Sequence, residues 1–174
     1  GLELNENAAR TARENGCEML SCSLKAAAAE HAGAFDVVCA FQVLEHVCDP
    51  LEFVETSLRL LRVGGRLIYT TPNAESYLKY LRPLLDMPPH HMLKWSRRSF
   101  AFLEREFPVK LEQIKREPLA KYHVAEYLDA WRISHFSRGF RHHFVPPLRL
   151  FAKTALHSGG RFFATGHTLY SQFH

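Results

Sequence analysis

At 174 residues, 47% hydrophobic and 23% charged, the chain has the make-up of one globular domain with room for a sizeable core. No apolar run reaches the roughly 20 residues that cross a bilayer, and the opening Gly1-Leu2-Glu3-Leu4-Asn5-Glu6-Asn7 lacks the basic-then-apolar layout of a leader, so a cytoplasmic protein is expected. The net charge of +4 gathers at Arg97-Arg98 and across residues 138–153 without the stacking and base-reading residues of a nucleic-acid surface; it reads as solvated faces, and no nucleic-acid partner is expected.

In chain order, residues 6–15 place Ala8, Ala9 and Ala12 at helical spacing, with Gly16 as the stop. Residues 17–20 read as a short strand. A second helix over residues 24–31 ends before Gly33. Residues 35–41 form a continuous apolar run with β-branched members, the pattern of a buried parallel strand. Asp49-Pro50-Leu51-Glu52 is a helix start, because Asp49 accepts free N–H groups, Pro50 suits the first turn and Glu52 favours the positive end. Leu51, Val54, Leu58 and Leu61 share a face of that helix. Gly64-Gly65 is expected to end it and lead into a strand over residues 66–71, which Pro72 stops. Ser96 caps a further helix running to about residue 107. Residues 110–115 make a strand, residues 122–136 and 147–157 make helices, and residues 166–173 alternate as a half-exposed antiparallel strand.

The cysteines, Cys17, Cys22, Cys39 and Cys48, form no CxxC pair and read as reduced, mostly buried thiols. Eleven histidines include the adjacent pairs His90-His91 and His142-His143. Neighbours on a helix point in different directions, and neither an HExxH run nor a Cys/His cluster accompanies them. No metal site is expected.

One ordered run carries the functional reading: an acid ending a strand at Glu3, then Phe35-Asp36-Val37-Val38, Val43-Leu44-Glu45-His46, Asp49-Pro50, and Gly64-Gly65 through Thr71-Pro72-Asn73. Together with Pro89-His90-His91, Trp95-Ser96 and Gly166-His167-Thr168-Leu169-Tyr170, this run resembles the class I S-adenosylmethionine-dependent methyltransferases, in particular the small-molecule and quinone-precursor group. The resemblance spans essentially the whole chain. It implies a Rossmann-like α/β fold: a mostly parallel sheet with an antiparallel last strand, and helices on both faces. It also implies S-adenosylmethionine as cofactor, S-adenosylhomocysteine as product, and methyl transfer to an oxygen or nitrogen of a small molecule.

In open α/β sheets, ligands sit beyond the carboxyl ends of the strands. The resemblance places Glu3, with Leu4, at the cofactor ribose; the other reading of Glu3 is a first-turn acid favouring the next helix. Ser21, Cys22 and Ser23, with Leu24, would line the adenine side, where the family often carries an acid that this chain lacks; the other reading of this stretch is a plain loop. Phe41, Gln42 and Val43 would meet the methionine end, with helix-entry packing as the alternative for Val43. His46 would contact the acceptor or remove its proton, or else Glu45-His46 braces the loop before Asp49. One of His90 and His91 would take the same proton, or both would hydrogen-bond a Pro-rich loop. Asp49 is explained fully by capping.

Residues 1–174 read as a single methyltransferase domain with acceptor-pocket or lid insertions at residues 74–108 and 116–160. Residues 148–156 are amphipathic: core packing is expected, with a lid over a hydrophobic acceptor or a membrane-surface contact as alternatives. The family's first central strand and glycine-rich turn are not found, since the early glycines Gly1, Gly16 and Gly33 form no GxG arrangement. The chain therefore reads as N-terminally truncated, with impaired cofactor binding and unpaired sheet edges that favour a homo-oligomer. Two rival readings are a nicotinamide-dependent oxidoreductase fragment and a non-catalytic binding or oligomerisation module.

Overall fold

The computed structural model describes residues 1–135 and 145–174; the pair His142-His143 and part of the basic stretch 138–153 lie outside the described residues. Asn5 opens α1 (Glu6–Glu14), its side chain accepting the N–H groups of Asn7 and Ala8 at 3.0 and 3.2 Å. Ser23 opens α2 (Leu24–Glu30) in the same way, from the Ala26 N–H at 3.2 Å. The strand expected over residues 17–20 is reduced to one parallel bridge between Leu2 and Leu20.

The four-stranded sheet has the order β1-β2-β4-β3, formed by β1 (Phe35–Phe41), β2 (Leu61–Pro72), β3 (Leu111–Pro118) and β4 (Thr165–Phe173). β1 and β2 pair in parallel, and β4 lies antiparallel between β2 and β3. Three strands thus run one way and the last runs against them, as expected. Gly166 permits the close approach of β3 and β4: a Cβ there would stand 2.6 Å from Glu117 Cγ and 2.8 Å from the Pro118 carbonyl oxygen.

Between β1 and β2 lies α3 (Pro50–Leu60), capped by Asp49, which accepts the Glu52 N–H at 2.9 Å. α3 ends at Leu60, ahead of the glycines expected to stop it, because Leu61 already pairs with Phe35 across the sheet. Gly64, at φ +76°, instead turns the chain within the start of β2. The packed face of α3 is made by Val54, Ser57 and Leu60, and Leu51 is exposed.

Leu67 and Tyr69 of β2 and Leu169 and Phe173 of β4 form the centre of the main core with Val54 and Leu44. α5 (Arg97–Glu106) closes it, held by a capping box between Ser96 and Ser99 and contributing Phe100 and Leu103. Phe100 stacks on Trp95 at 5.0 Å and meets Phe173 at 6.2 Å between ring centres. A second core joins Tyr77 to Leu128 of α6 (Val124–His135) and to Leu156 of α7 (Val145–His157), with α4 (Leu78–Leu81) alongside. Within α7, Ala152 and Leu156 pack while Leu150 and Phe151 face solvent, so core packing accounts for only part of this helix.

Two expectations about burial are corrected. β1 is an edge strand: Val37 is 48% and Phe41 59% exposed, because β2 pairs with it on one side and the Leu2–Leu20 bridge stands outside this sheet. Its apolar sequence is that of a strand covered on both sides, whereas its place in the sheet is not. For the same reason Cys39 is exposed. Cys17 and Cys48 are exposed in loops, and all four thiols are free. Among the described residues, no helix is long and apolar enough to cross a membrane.

Phe100 is fully buried between Trp95 and Phe173, and Phe100→Ala should lower unfolding stability by about 3–5 kcal/mol. Urea unfolding followed by circular dichroism measures this.

Candidate functional site

The site begins where β1 runs out. Gln42 adopts φ +55°, a left-handed conformation uncommon for a side-chain-bearing residue. The turn is held by its N–H, which donates to the Thr70 carbonyl at 2.9 Å, and by its amide, which reaches Thr70 Oγ1 at 3.4 Å. The chain is thereby thrown out of the sheet into a tight turn, closed by the His46 N–H on the Val43 carbonyl at 2.9 Å. Leu44 drops into the main core and Glu45 follows it inward, with its side chain 1% exposed.

The segment after β2 folds back over that turn. The Ala74 N–H donates to the Trp95 carbonyl at 2.7 Å, and Asn73 and Trp95 form a parallel bridge. The Trp95 indole N–H then donates to the Leu44 carbonyl at 3.3 Å. The N–H groups of Met92 and Leu93 both donate to the Glu45 carbonyl, at 2.8 and 3.2 Å. These bonds set His91 beside His46, with ring centres 4.8 Å apart and an interplanar angle of 73°.

Each ring is fixed through Nδ1. His46 Nδ1 lies 2.6 Å from the His90 carbonyl oxygen, and His91 Nδ1 lies 3.0 Å from Asp86 Oδ1. A carbonyl oxygen only accepts, so His46 carries its hydrogen on Nδ1 and leaves Nε2 with a lone pair. Asp86, which also holds Lys94 Nζ at 3.4 Å, engages His91 through the same ring nitrogen. Both carboxylate oxygens of Glu45 are buried without a hydrogen-bond partner, and His46 Nε2 stands 3.9 Å from Oε1. Burial pushes the Glu45 carboxyl above the usual carboxylate range, opposed by its own backbone N–H and by the two histidines. The ligand-type atoms of Glu45, His46 and His91 all lie within 4.8 Å of one another.

The remaining expected residues fall into four places. Phe41, Gln42 and Val43 form the exit of β1, with Phe41 and Val43 exposed. Glu3 and Leu4 follow the Leu2–Leu20 bridge on its carboxyl side; Glu3 Oε1 accepts the Asn5 N–H at 2.7 Å, and Leu4 is exposed. Ser23 is engaged as the cap of α2, and Leu24 packs against the buried cluster of Ala27, Ala28 and Leu60. His90 contributes its carbonyl to the His46 contact while its side chain faces solvent. Sequence reasoning missed two members. Glu45 read only as a loop brace, and Asp86 sits five residues before His91 in a stretch with no periodic signal.

A second titratable group lies where β4 meets the start of α6. The rings of His123 and His167 stand 4.5 Å apart, and His167 Nδ1 is 3.5 Å from Glu117 Oε1. Burial, and then the His123 charge, hold His167 below its ordinary value of 6.5, against Glu117, Glu126 and Asp86, which raise it. The unfolded chain therefore binds this proton more readily than the native one. The contribution of His167 to stability is full above pH 6.5 and is lost as pH falls through the lowered native value. His167→Gln should flatten that part of the stability–pH curve, read from urea midpoints at stepped pH. At the β1 exit, Gln42→Gly should keep the turn, whereas Gln42→Val should cost about 1–3 kcal/mol because a β-branched residue resists this φ; paired thermal melts compare the two.

The comparisons with known proteins agree with this architecture. The family described as a methyltransferase domain matches residues 5–155. A curated relative, the ubiquinone biosynthesis O-methyltransferase of Thiobacillus denitrificans, is 34% identical over 146 residues, covering 72% of this chain and 62% of that one. The chain covers 48% of the protein of the same name from Aromatoleum aromaticum, at 34% identity over 113 residues. It thus spans roughly half to three-fifths of these relatives' length. Among solved structures, a SAM-dependent methyltransferase from Thermotoga maritima aligns over 99% of this chain and 71% of its own, at TM-score 0.60 and 18% identity. A SAM-dependent methyltransferase from Archaeoglobus fulgidus aligns over 99% and 74%, at TM-score 0.58 and 14% identity, a likeness of fold. With the methyltransferase-domain family matched over residues 5–155, the chain belongs to the class I S-adenosylmethionine-dependent methyltransferases.

Proposed function

We propose that this chain serves the transfer of a methyl group from S-adenosylmethionine to a hydroxyl oxygen of a small molecule, acting in the cytoplasm. The observation that carries the reading is the left-handed exit at Gln42, which turns the chain away at the carboxyl end of β1, where open α/β sheets hold their ligands. Phe41, Gln42 and Val43 would then border the methionine end of the cofactor. Glu3 and Leu4 would meet its ribose, and Ser23 and Leu24 its adenine side. Glu3 keeps a carboxylate oxygen for a ribose hydroxyl beyond the one that accepts the Asn5 N–H.

Methyl transfer is an in-line displacement, so the protein's part is to align two reactants and deal with the acceptor's proton. With Nδ1 of each ring engaged elsewhere, His46 and His91 have Nε2 left for that purpose, at a rim built from both halves of the chain. Oxygen is favoured over nitrogen because the curated relatives carry the name O-methyltransferase, and the same name points to a quinone precursor as the acceptor type. The family match also favours methyl transfer over hydride transfer to a nicotinamide. The segments 74–108 and 116–160 would shape the acceptor side: Tyr77 and Tyr80 from one and Tyr127 and Trp131 from the other line a shared cleft of about 270 Å³. The exposed edge of β1 would suit pairing with a second copy.

The test is transfer of radiolabelled methyl from S-adenosylmethionine to a panel of hydroxylated aromatics and matched amines, with S-adenosylhomocysteine binding followed by calorimetry. Labelled ethers are expected, and His46→Asn should lower kcat by roughly 10²-fold or more with S-adenosylhomocysteine affinity unchanged. Transfer to amines alone would overturn the choice of oxygen, and absence of both binding and transfer would overturn the reading.

A further inference from the structure

We infer that Glu45, His46 and His91 form a binding site for a divalent transition-metal ion of the zinc class, with Asp86 and the His90 carbonyl as its outer support. Three lone-pair-bearing groups converge here, and the Glu45 carboxylate makes no hydrogen bond to either ring. His46 presents Nε2 because its Nδ1 is engaged by the His90 carbonyl oxygen at 2.6 Å. His91 presents Nε2 because its Nδ1 is engaged by Asp86 at 3.0 Å. Glu45 brings two carboxylate oxygens, buried and unpartnered. Gathered acceptors of this kind repel one another unless a cation sits among them.

A shared proton does not meet the geometry. His46 Nε2 and Glu45 Oε1 are 3.9 Å apart, beyond the ~2.7–3.2 Å of an N–H···O bond. A metal ion does meet it. Bonds of about 2.0–2.2 Å to nitrogen and oxygen at tetrahedral angles put ligand atoms roughly 3.4 Å apart, so the cluster, with its atoms within 4.8 Å of one another, needs each pair to close by at most about 1.4 Å. Two imidazoles and one carboxylate select zinc-like ions over magnesium or calcium, which take oxygen donors. The outer contacts match what metal-bound imidazoles use, a carboxylate or a backbone carbonyl on the far nitrogen. Three protein ligands leave a coordination position open for water or for an acceptor hydroxyl; with the ion bound both Nε2 lone pairs are occupied, and the hydroxyl would lose its proton through coordination to the ion instead of to either ring. His46 is half exposed, so an ion has a path in from solvent.

The sequence expectation was that no metal site exists, because it looked for ligands at helical spacing. Here two ligands are neighbours in a turn and the third arrives from a loop 45 residues further on, brought in by the bonds of Met92 and Leu93 to the Glu45 carbonyl. The site stands on this geometry alone. Only a role for the ion in methyl transfer rests on the proposed function.

The experiment strips the full chain with a chelator and titrates it with Co²⁺ at neutral pH, reading visible d–d absorption, then displaces Co²⁺ with Zn²⁺ to count equivalents. One equivalent with a four- or five-coordinate spectrum is expected. His46→Ala and His91→Ala should each weaken binding tenfold or more while keeping the wild-type circular dichroism and urea midpoint. Asp86→Asn, which leaves all three ligands in place, should weaken it by about 10–100-fold. Glu45→Gln keeps the volume of the buried side chain and should abolish the band; if that variant unfolds, the His46→Ala result decides, because that ring is half exposed. Absence of a stoichiometric Co²⁺ band in the folded wild-type chain would overturn the proposal. So would binding that His46→Ala and His91→Ala leave intact, since the ion would then sit on other histidines. S-adenosylhomocysteine binding on the same samples separates the two readings: a chain that binds the nucleoside without metal sinks only the metal site, and the converse sinks only the methyltransferase reading.

Discussion

The carbonyl of Glu45 accepts two backbone N–H groups, from Met92 and Leu93, and the rest of the site depends on that junction. Through it, a loop that follows β2 is fastened to a turn that follows β1. The Trp95 indole on the Leu44 carbonyl fastens it a second time, from a buried position. Buried backbone groups must find partners, so these bonds also satisfy carbonyls that the turn at Gln42 removes from the sheet. The junction is thus both a condition for burying Leu44 and Trp95 and the reason that His91 lies against His46.

The same junction ties the core to the rim. Trp95 stacks on Phe100, Phe100 touches Phe173, and Phe173 is the last residue of the strand that pairs with β2. A chain of packed aromatics therefore runs from the loop carrying His91 to the far end of β4. Interiors of this density resist displacement, and a site built on such a scaffold is held more closely than one on free loops. The imidazoles gain a second level of constraint from Asp86 and the His90 carbonyl, which decide the nitrogen each ring offers. Glu45 sits below them with no hydrogen-bond partner for its carboxylate, which is costly for a structural residue and appropriate for a functional one.

β1 shows the opposite balance. Its sequence, apolar but for Asp36, belongs in a sheet covered on both sides, yet its outer edge and much of its surface face solvent. The parallel Leu2–Leu20 bridge, with Glu3 at its carboxyl side, stands apart from the four-stranded sheet. Glu3 and Leu4 thus lie by one strand group, and Phe41, Gln42 and Val43 at the end of the other.

Local chemistry was legible in the sequence by itself. Capping by Asp49 and Ser96, the strand at residues 35–41 and the last antiparallel strand follow from side-chain hydrogen bonding and apolar periodicity, which act within a few residues. The ordered run from Phe35 to Asn73 carried the family for a similar reason, since each member has a local cause and their order is covalent. Tertiary structure decided what depends on contacts between distant residues. Whether a strand is central or at an edge is set by its neighbours, so β1 and its cysteine were read as buried. The end of α3 was set by Leu61 pairing with Phe35 rather than by the glycines beyond it. The union of Glu45 and His46 with His91 and Asp86 required two loops to be pinned by backbone hydrogen bonds, and backbone N–H and C=O groups are the same at every residue. No pattern of side chains announces where such bonds will form, which is why the family could be read from the sequence and the Glu45–His46–His91 cluster could not.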